Sequence, residues 1–551
     1  MKATTLGPGL GGKSLFVNAK GMQNAYAELR PAGEKGSRNP YYVAYRSPAL
    51  ATFADAGTVN PPRGIRTIER LSQCYAVISN TFYQVSASGT LTNKATLMTS
   101  LGRVSMSDDG TQVMVVDGTY GYIYSTVAIN GTPQTISSIT RSGTTGTLTT
   151  SAPHLLTTGN LVTLAGVTPS GYNGTYTITV TSPTTFTFVM KADPGGVATV
   201  VGTYTIPTFA QITDTDFPPN PQTVTFLGGM FIVNFNQSGR FYVNKNRGDG
   251  LLWDALNFAN AETNPDPIVS VWSSNGQLDL LGSASMEFWG NSGTLDFPFT
   301  QILGSATEWG LAATWSVAKF DNSFACLVKN RMGQVMVAHI AGYLPKKIST
   351  PDLDFQINSY SRVDDATAYS YMIGGHAMYV ISFPTAGKTW LYDSSTGFWS
   401  SLKSYGLTRH RGEFGTTFAG KTLVCDYQTG IIWQLSTTAM SDATGAIESQ
   451  IVMETIQTGD LDRITVSKLR LDMEVGDGTT SIPSPQISLQ VSRDNGNTYG
   501  AEMFTSAGSV GNYNEMVEWN RLGTARNFVF KVRMVDAVPF VLVGASINPK
   551  D

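Results

Sequence analysis

A chain of 551 residues that is 41% hydrophobic and 11% aromatic holds enough apolar material for the cores of two to four domains. Only 14% of its residues are charged and it has 56 glycines and 25 prolines, which excludes a coiled coil and fits a β-rich protein with many tight turns. The net charge is -3 and no run of Lys or Arg is longer than Lys346-Lys347, which excludes a strong electrostatic grip on nucleic acid.

Residues 1–65 are punctuated by GPGLGG, RPAGEKGSRNP and NPPRG and read as an N-terminal arm, either wrapping the next domain or lending it a closing strand. Within the arm, QNAYAELRP from Gln23 allows at most two helical turns before Pro31 stops them. Met1-Lys2 leads into ATTLGPGLGG rather than into an apolar stretch of about 7–15 residues, so no signal peptide is expected. No segment approaches the ~18 uninterrupted apolar residues that span a bilayer, and no membrane anchor is expected. Gly7-Pro8-Gly9-Leu10-Gly11-Gly12-Lys13-Ser14 satisfies the P-loop pattern formally. A P-loop follows a buried strand and opens a helix, whereas MKATTL precedes this one and the β-branched, Gly-containing SLFVNAKG follows it, so a Gly-rich arm is expected.

Beyond the arm one unit recurs seven times: an aliphatic run, a polar turn and a second, often aromatic run. The copies are centred on Val77, Val115, Ile232, Leu280, Cys326, Val380 and Val424. Five of the six steps between centres are 38 to 54 residues, and the sixth, from Val115 to Ile232, is 117. A period near 45 with several short strands per repeat is the spacing of β-propeller blades, whose small sheets bury their faces only against one another. A propeller of six or seven blades is expected over 66–131 and 207–445.

The long step holds a compositional island, 132–206, rich in Thr, Ser and Gly and charged only at Arg141, Lys191 and Asp193. Its segments TGTLTT, NLVTLAGV, GTYTITV and TFTFVM alternate with period two between turn signals such as Asn173-Gly174, which predicts an inserted small β-barrel or sandwich. As an independent module on a surface loop, it is expected to be removable without unfolding the propeller. From 446 to 551 longer alternating strands, SKLRLDMEV, QISLQVSRD, NFVFKVRMV and FVLVGASI, predict a C-terminal β-sandwich. The fold class is therefore all-β.

Few residues invite chemistry. Ser492-Arg493-Asp494-Asn495-Gly496-Asn497-Thr498-Tyr499 resembles the Asp-box of sialidase-type propellers, whose Asp and Ser stabilise a turn, and a turn role is expected. His154, His339, His376 and His410 are far apart in the chain, and none has Cys, Asp or Glu at metal-ligand spacing. A glycosidase pair built from Asp364-Asp365 and Glu287 would be an arbitrary choice among 40 acidic residues. Aromatic residues such as Tyr122, Tyr242, Trp289, Trp390 and Trp433 fall on the second run of a repeat, where packing explains them. Cys74, Cys326 and Cys425 form an odd set and are expected as buried free thiols of a protein that folds in a reducing compartment. No catalytic residue, cofactor or metal is predicted.

The order of several weak motifs carries more. Gly102-Arg103-Val104-Ser105-Met106, Gly282-Ser283 with Glu287-Phe288-Trp289, Lys347-Ile348-Ser349-Thr350, Gly375-His376-Ala377-Met378-Tyr379, Thr389-Trp390-Leu391-Tyr392-Asp393 and Trp519-Asn520-Arg521-Leu522-Gly523 occur in that sequence. Together they resemble the packaged-DNA stabilisation, or tail hub and nozzle, proteins of short-tailed bacteriophages. The insert, through Ser151-Ala152-Pro153-His154 and Tyr172-Asn173-Gly174-Thr175-Tyr176, is similar to a small β module of other phage virion proteins. The resemblance implies a non-enzymatic virion protein. It implies a ring of six copies below the portal and its adaptor, retaining the genome, passing duplex DNA and carrying fibres or tailspikes. The competing reading is a carbohydrate-active propeller, a phage depolymerase or a sialidase-like hydrolase, which needs clustered Arg or paired carboxylates at its central channel.

Overall fold

A computed structural model describes residues 2–3, 14, 19–31, 41–125, 133–154, 156–261, 263–294, 297–458, 460 and 462–548. The chain divides into two compact units, one made of Met1–Asp55, Ala312–Ala341 and Pro345–Asp551, the other of Ala56–Leu311 and Gly342–Leu344. Strands dominate both. No helix among the described residues is long and apolar enough to cross a membrane.

The second unit contains four antiparallel four-stranded sheets of propeller type. Blade 1 is Pro62–Ile68, Gln73–Ile78, Thr81–Val85 and Leu91–Thr96, and blade 2 is Ser105–Asp108, Gln112–Val116, Gly121–Ser125 and Phe209–Gln211. Blade 3 is Pro221–Leu227, Met230–Phe235, Arg240–Asn246 and Asp249–Asn260, and blade 4 is Ile268–Ser274, Gln277–Gly282, Met286–Asn291 and Phe299–Gln301. The second strand of each sheet is buried on both faces, because neighbouring sheets pack against it. This is why QVMVV and MFIVNF read as continuous apolar runs. First strands of successive blades run side by side in the same direction: Arg66 Nε donates to Asp108, Val224 N to Ser105 Oγ and Val271 N to Thr223 Oγ1.

The insert is a closed barrel of Gln134–Ser142, Thr145–Thr150, Leu161–Ala165, Gly174–Ser182, Thr185–Val189 and Thr203–Thr205, placed between the third and fourth strands of blade 2. Leu148, Phe186, Phe188 and Tyr172 fill its core. The insert is not isolated from the propeller but makes a seam with blades 2 and 3. Leu161 is 0% exposed and lies in one cluster with Met114, Ile123, Phe231 and Trp253 of those blades. Gln112 Nε2 donates to Gly159 O at 2.8 Å, and Lys191 pairs with Asp214 and Asp216.

In the first unit, blade 5 uses Ala318–Phe320, Ser323–Lys329, Val335–Ile340 and Pro345–Lys347, and blade 6 uses Thr367–Ile373, His376–Phe383, Lys388–Asp393 and Trp399–Ser401. Blade 7 takes Gly412–Phe418, Lys421–Asp426 and Ile431–Ser436 from one end of the propeller segment and Ala49–Asp55 from before blade 1 as its outer strand. Every predicted repeat centre lies on the second strand of a blade. The sandwich packs a sheet of Ala25–Arg30, Tyr41–Arg46, Val541–Ile547, Ile464–Met473 and Glu518–Ala525 against one of Ser449–Val452, Asn527–Met534, Gln486–Ser492 and Met503–Ser506. Leu469, Leu489, Phe530 and Leu542 lie in the core between them. Gly21–Gln23 pairs with Trp399–Ser401 on one side and Ser449–Val452 on the other, so one sheet runs from blade 6 into the sandwich.

Two local readings are corrected. QNAYAELRP is not helical: Asn24, at φ 49°, separates two strands, and Ala25 and Ala27 alternate inward with period two. Its side-chain amide donates to Lys403 O and Glu448 O, fixing the break. The α-helix Pro351–Asn358 was not anticipated, although Thr350 caps it, Pro351 occupies its first turn and Asp352 and Asp354 complement its dipole.

Candidate assembly surface

The residues that invited catalytic readings are held by structural bonds. Asp494 Oδ1 accepts from Ser492 Oγ at 2.6 Å and Thr498 N at 2.9 Å, Oδ2 accepts from Thr498 Oγ1, and these bonds hold the carboxyl down at about 2. The motif is thus a turn leaving strand Gln486–Ser492. Glu287 is buried and accepts from Thr263 N, Trp289 Nε1 and Gln301 Nε2. Asp364 pairs with Arg362, and Asp365 accepts from Thr385 N. His376 Nδ1 lies 2.8 Å from Asp393 Oδ2, a partnership 17 residues apart in the chain. Burial, helped by Arg409, pushes His410 down to about 4, and His154 bonds Ser182 O and Leu156 N. The three cysteines are buried free thiols, and burial pushes Cys74 up to about 12. Gly7 to Lys13 of the P-loop pattern lie outside the described residues. Among the described residues there is no cluster of three or more His, Cys, Asp or Glu that would hold a metal ion.

What the second unit does present is an apolar surface on a rigid support. Blade 1 and blade 2 are joined by residues 97–104, and the strand order places this connection at the same end as the turn 117–120. Arg63, 4% exposed on the first strand of blade 1, organises it. Its Nε donates to Gly102 O at 2.6 Å, Nη1 to Ser79 O and Thr99 O at 3.0 and 2.7 Å, and Nη2 to Thr99 Oγ1 and Leu101 O at 2.9 and 2.7 Å. All five guanidinium N–H groups are used, four of them on backbone carbonyls. Thr99 Oγ1 passes the network to Asp117 Oδ2 at 2.6 Å, while Asp117 Oδ1 accepts from the amides of Thr119 and Tyr120, and Tyr122 OH accepts from Met98 N and donates to Asp117 Oδ2. Asn60 reaches Ser79 Oγ from the other side at 3.5 Å.

The side chains displayed by this scaffold are apolar: Val59 is 81% exposed, Met98 71% and Leu101 80%, with Tyr120 beside them. Exposed aliphatic residues on a backbone that is already fixed lose little entropy when covered, which is the property of an assembly contact. Sequence reasoning missed this site. Arg63 reads as one more charged residue, and its acceptors are main-chain atoms that carry no residue identity.

The family model of bacteriophage P22 Gp10, beta-propeller, matches residues 118–440, and that of bacteriophage P22 Gp10, beta-sandwich, matches residues 450–550. No individually curated protein matches. Among solved structures, the computationally designed Ika8 protein is similar at 10% identity over 70% of this chain and 99% of its own, with a TM-score of 0.33. The WD40 propeller domain of Doa1 is similar at 9% identity over 71% and 97%, TM-score 0.33, and BamB from Moraxella catarrhalis at 10% over 68% and 97%, TM-score 0.31. The two family models follow each other in chain order across the propeller and then the sandwich, so this chain belongs to the bacteriophage P22 Gp10 family of packaged-DNA stabilisation proteins, the structural proteins of short-tailed phages.

Proposed function

We propose that copies of this chain form a closed ring, a hexamer, below the portal-adaptor complex of a phage tail. The ring retains the packaged genome, serves as its exit conduit and carries the fibres or tailspikes. Family membership over both propeller and sandwich is the observation that carries this reading. A closed ring with heterologous contacts is the economical way for identical subunits to surround DNA. The near-neutral composition supports it, because each Lys or Arg on a phosphate would add a salt-dependent hold on DNA that has to leave. The pinned apolar surface around Arg63 supplies one contact of the kind such a ring needs. The protein acts without catalysis, in the virion tail, after assembly in the host cytoplasm. We assign the assembly core to the propeller, expected over 66–131 and 207–445 and joined there by strands Ala49–Asp55 and Pro62–Ile68 of the segment 1–65, and further contact faces to the insert 132–206 and the sandwich 446–551.

Particles assembled without this protein are expected to package DNA and then lose it, measured as encapsidated DNA against time. Particles that hold their genome normally and fail only at host attachment overturn the retention role and make the chain an attachment component.

A further inference from the structure

Within the first unit the chain passes between propeller and sandwich in three stretches, and these meet around one small internal cavity. Asn24 separates Gly21–Gln23 from the sandwich strand Ala25–Arg30. Ser47 lies between Tyr41–Arg46 of the sandwich and Ala49–Asp55 of blade 7. Asp442 and Ile447 lie between Ile431–Ser436 of blade 7 and Ser449–Val452 of the sandwich. All four residues line the cavity, together with Tyr369 of blade 6 and His410, and its volume of about 20 Å³ admits one occupant the size of a water molecule.

The cavity wall offers oxygen lone pairs and one negative charge. Ser47 is 7% exposed, and its Oγ is buried with no hydrogen-bond partner among the described residues. Asp442 is 8% exposed and forms no ion pair among the described residues, where its carboxylate takes a single hydrogen bond, from Leu50 N to Oδ1 at 2.8 Å. Burial raises this carboxyl to about 6, against the pull of the Leu50 amide and of Arg411, whose guanidinium is bonded to Asp426 and Gln428. At neutral pH Asp442 is therefore a buried anion with no cation bonded to it. Tyr369 OH stands 3.5 Å from His410 Nδ1, and that nitrogen also accepts from Gly412 N. The phenol is thus the donor in this contact and keeps its oxygen lone pairs. His410 is neutral, because burial pushes it down to about 4, so it sets no positive charge beside the cavity. Asn24 is committed to Lys403 and Glu448 and serves as wall.

We propose that this cavity binds one alkali cation, sodium or potassium, through the Asp442 carboxylate, Ser47 Oγ and the Tyr369 hydroxyl oxygen, and that the ion ties the crossings of propeller and sandwich together. Oxygen ligands select a hard cation. A single carboxylate selects a monovalent one, because a divalent ion would leave a second charge buried without a partner. The site is separate from the Arg63 surface, so it stands or falls independently of the ring.

The test compares the full-length protein in sodium, potassium and choline chlorides at one ionic strength. The readout is hydrogen exchange at the amides of Leu50 and Ala443, which bond across the two crossings. Exchange is expected to slow about tenfold when the alkali ion is at ten times its dissociation constant, and to stay unchanged in choline, which is too large to enter. Asp442→Asn keeps an acceptor for Leu50 N and removes the charge, so it is expected to abolish the difference between salts with the circular dichroism unchanged. Ser47→Ala removes one ligand and no main-chain bond, and is expected to weaken the apparent affinity for the ion about fivefold. Equal exchange in all three salts overturns the proposal and leaves the cavity to water alone. An alkali-specific effect that keeps its affinity in either variant also overturns it, because the ion is then bound elsewhere.

Discussion

Arg63 shows how one side chain fixes a surface. A buried guanidinium is costly unless every N–H is satisfied, and here the satisfying atoms are the carbonyls of the connection it supports. Burial pulls its pKa below the usual arginine value, with Asp117 and Tyr122 opposing that pull. Arg63→Ala strands four backbone carbonyls and is expected to cost on the order of 3 kcal/mol. Limited proteolysis should then cut near Leu101 while blades 3 and 4 stay resistant. Arg63→Lys should rescue little, because a point charge with three donors does not span five directions. A loop as protease-resistant in Arg63→Ala as in the native protein would refute the scaffold. At the same scale Asp494→Ala should loosen the turn it holds, read as faster amide exchange at Thr498 with the rest of the sandwich unchanged.

At the scale of elements, the seam between insert and propeller gives the sharpest prediction. Removing 132–206 deletes Leu161 from the cluster it shares with Met114 and Trp253 and exposes those neighbours. The expected loss is about 2 kcal/mol or more, read as a lower unfolding temperature. The seam also titrates. Burial pushes Asp249 up to about 6 from 3.8, and nearby Asp214 adds to the rise. A folded-state pKa above the unfolded one means the folded form binds the proton more tightly, so stability falls as pH rises from about 4 through 6. The full loss, on the order of 3 kcal/mol, is reached above that window. Asp249→Asn should remove this slope, measured as the difference between native and variant denaturation midpoints across pH 4–7.5. Much of this architecture was legible in the sequence because the second strands of the blades are packed on both faces and read as apolar runs. Outer strands such as Leu91–Thr96 and Phe209–Gln211 are half solvated or very short and carry no such signal. The outer strand of blade 7 was harder still, since Ala49–Asp55 pairs with Ile431–Ser436, far along the chain. The seam was invisible because a single Leu in NLVTLAGV looks the same whether it faces its own barrel or a neighbour.

For the whole molecule, the N-terminal segment is woven into the first unit, and the insert is bonded into blades 2 and 3 of the second. Gly21–Gln23 joins blade 6 to the sandwich within one sheet, so force applied to either reaches the other through main-chain hydrogen bonds. This suits a structural protein that retains packaged DNA. The most direct test is an electron cryo-microscopy reconstruction of the tail of intact, DNA-filled particles. The account predicts a closed ring of six copies on the tail axis below the adaptor, with DNA density ending at or within it. Copies attached singly to the periphery, leaving the axial path to another protein, would contradict it.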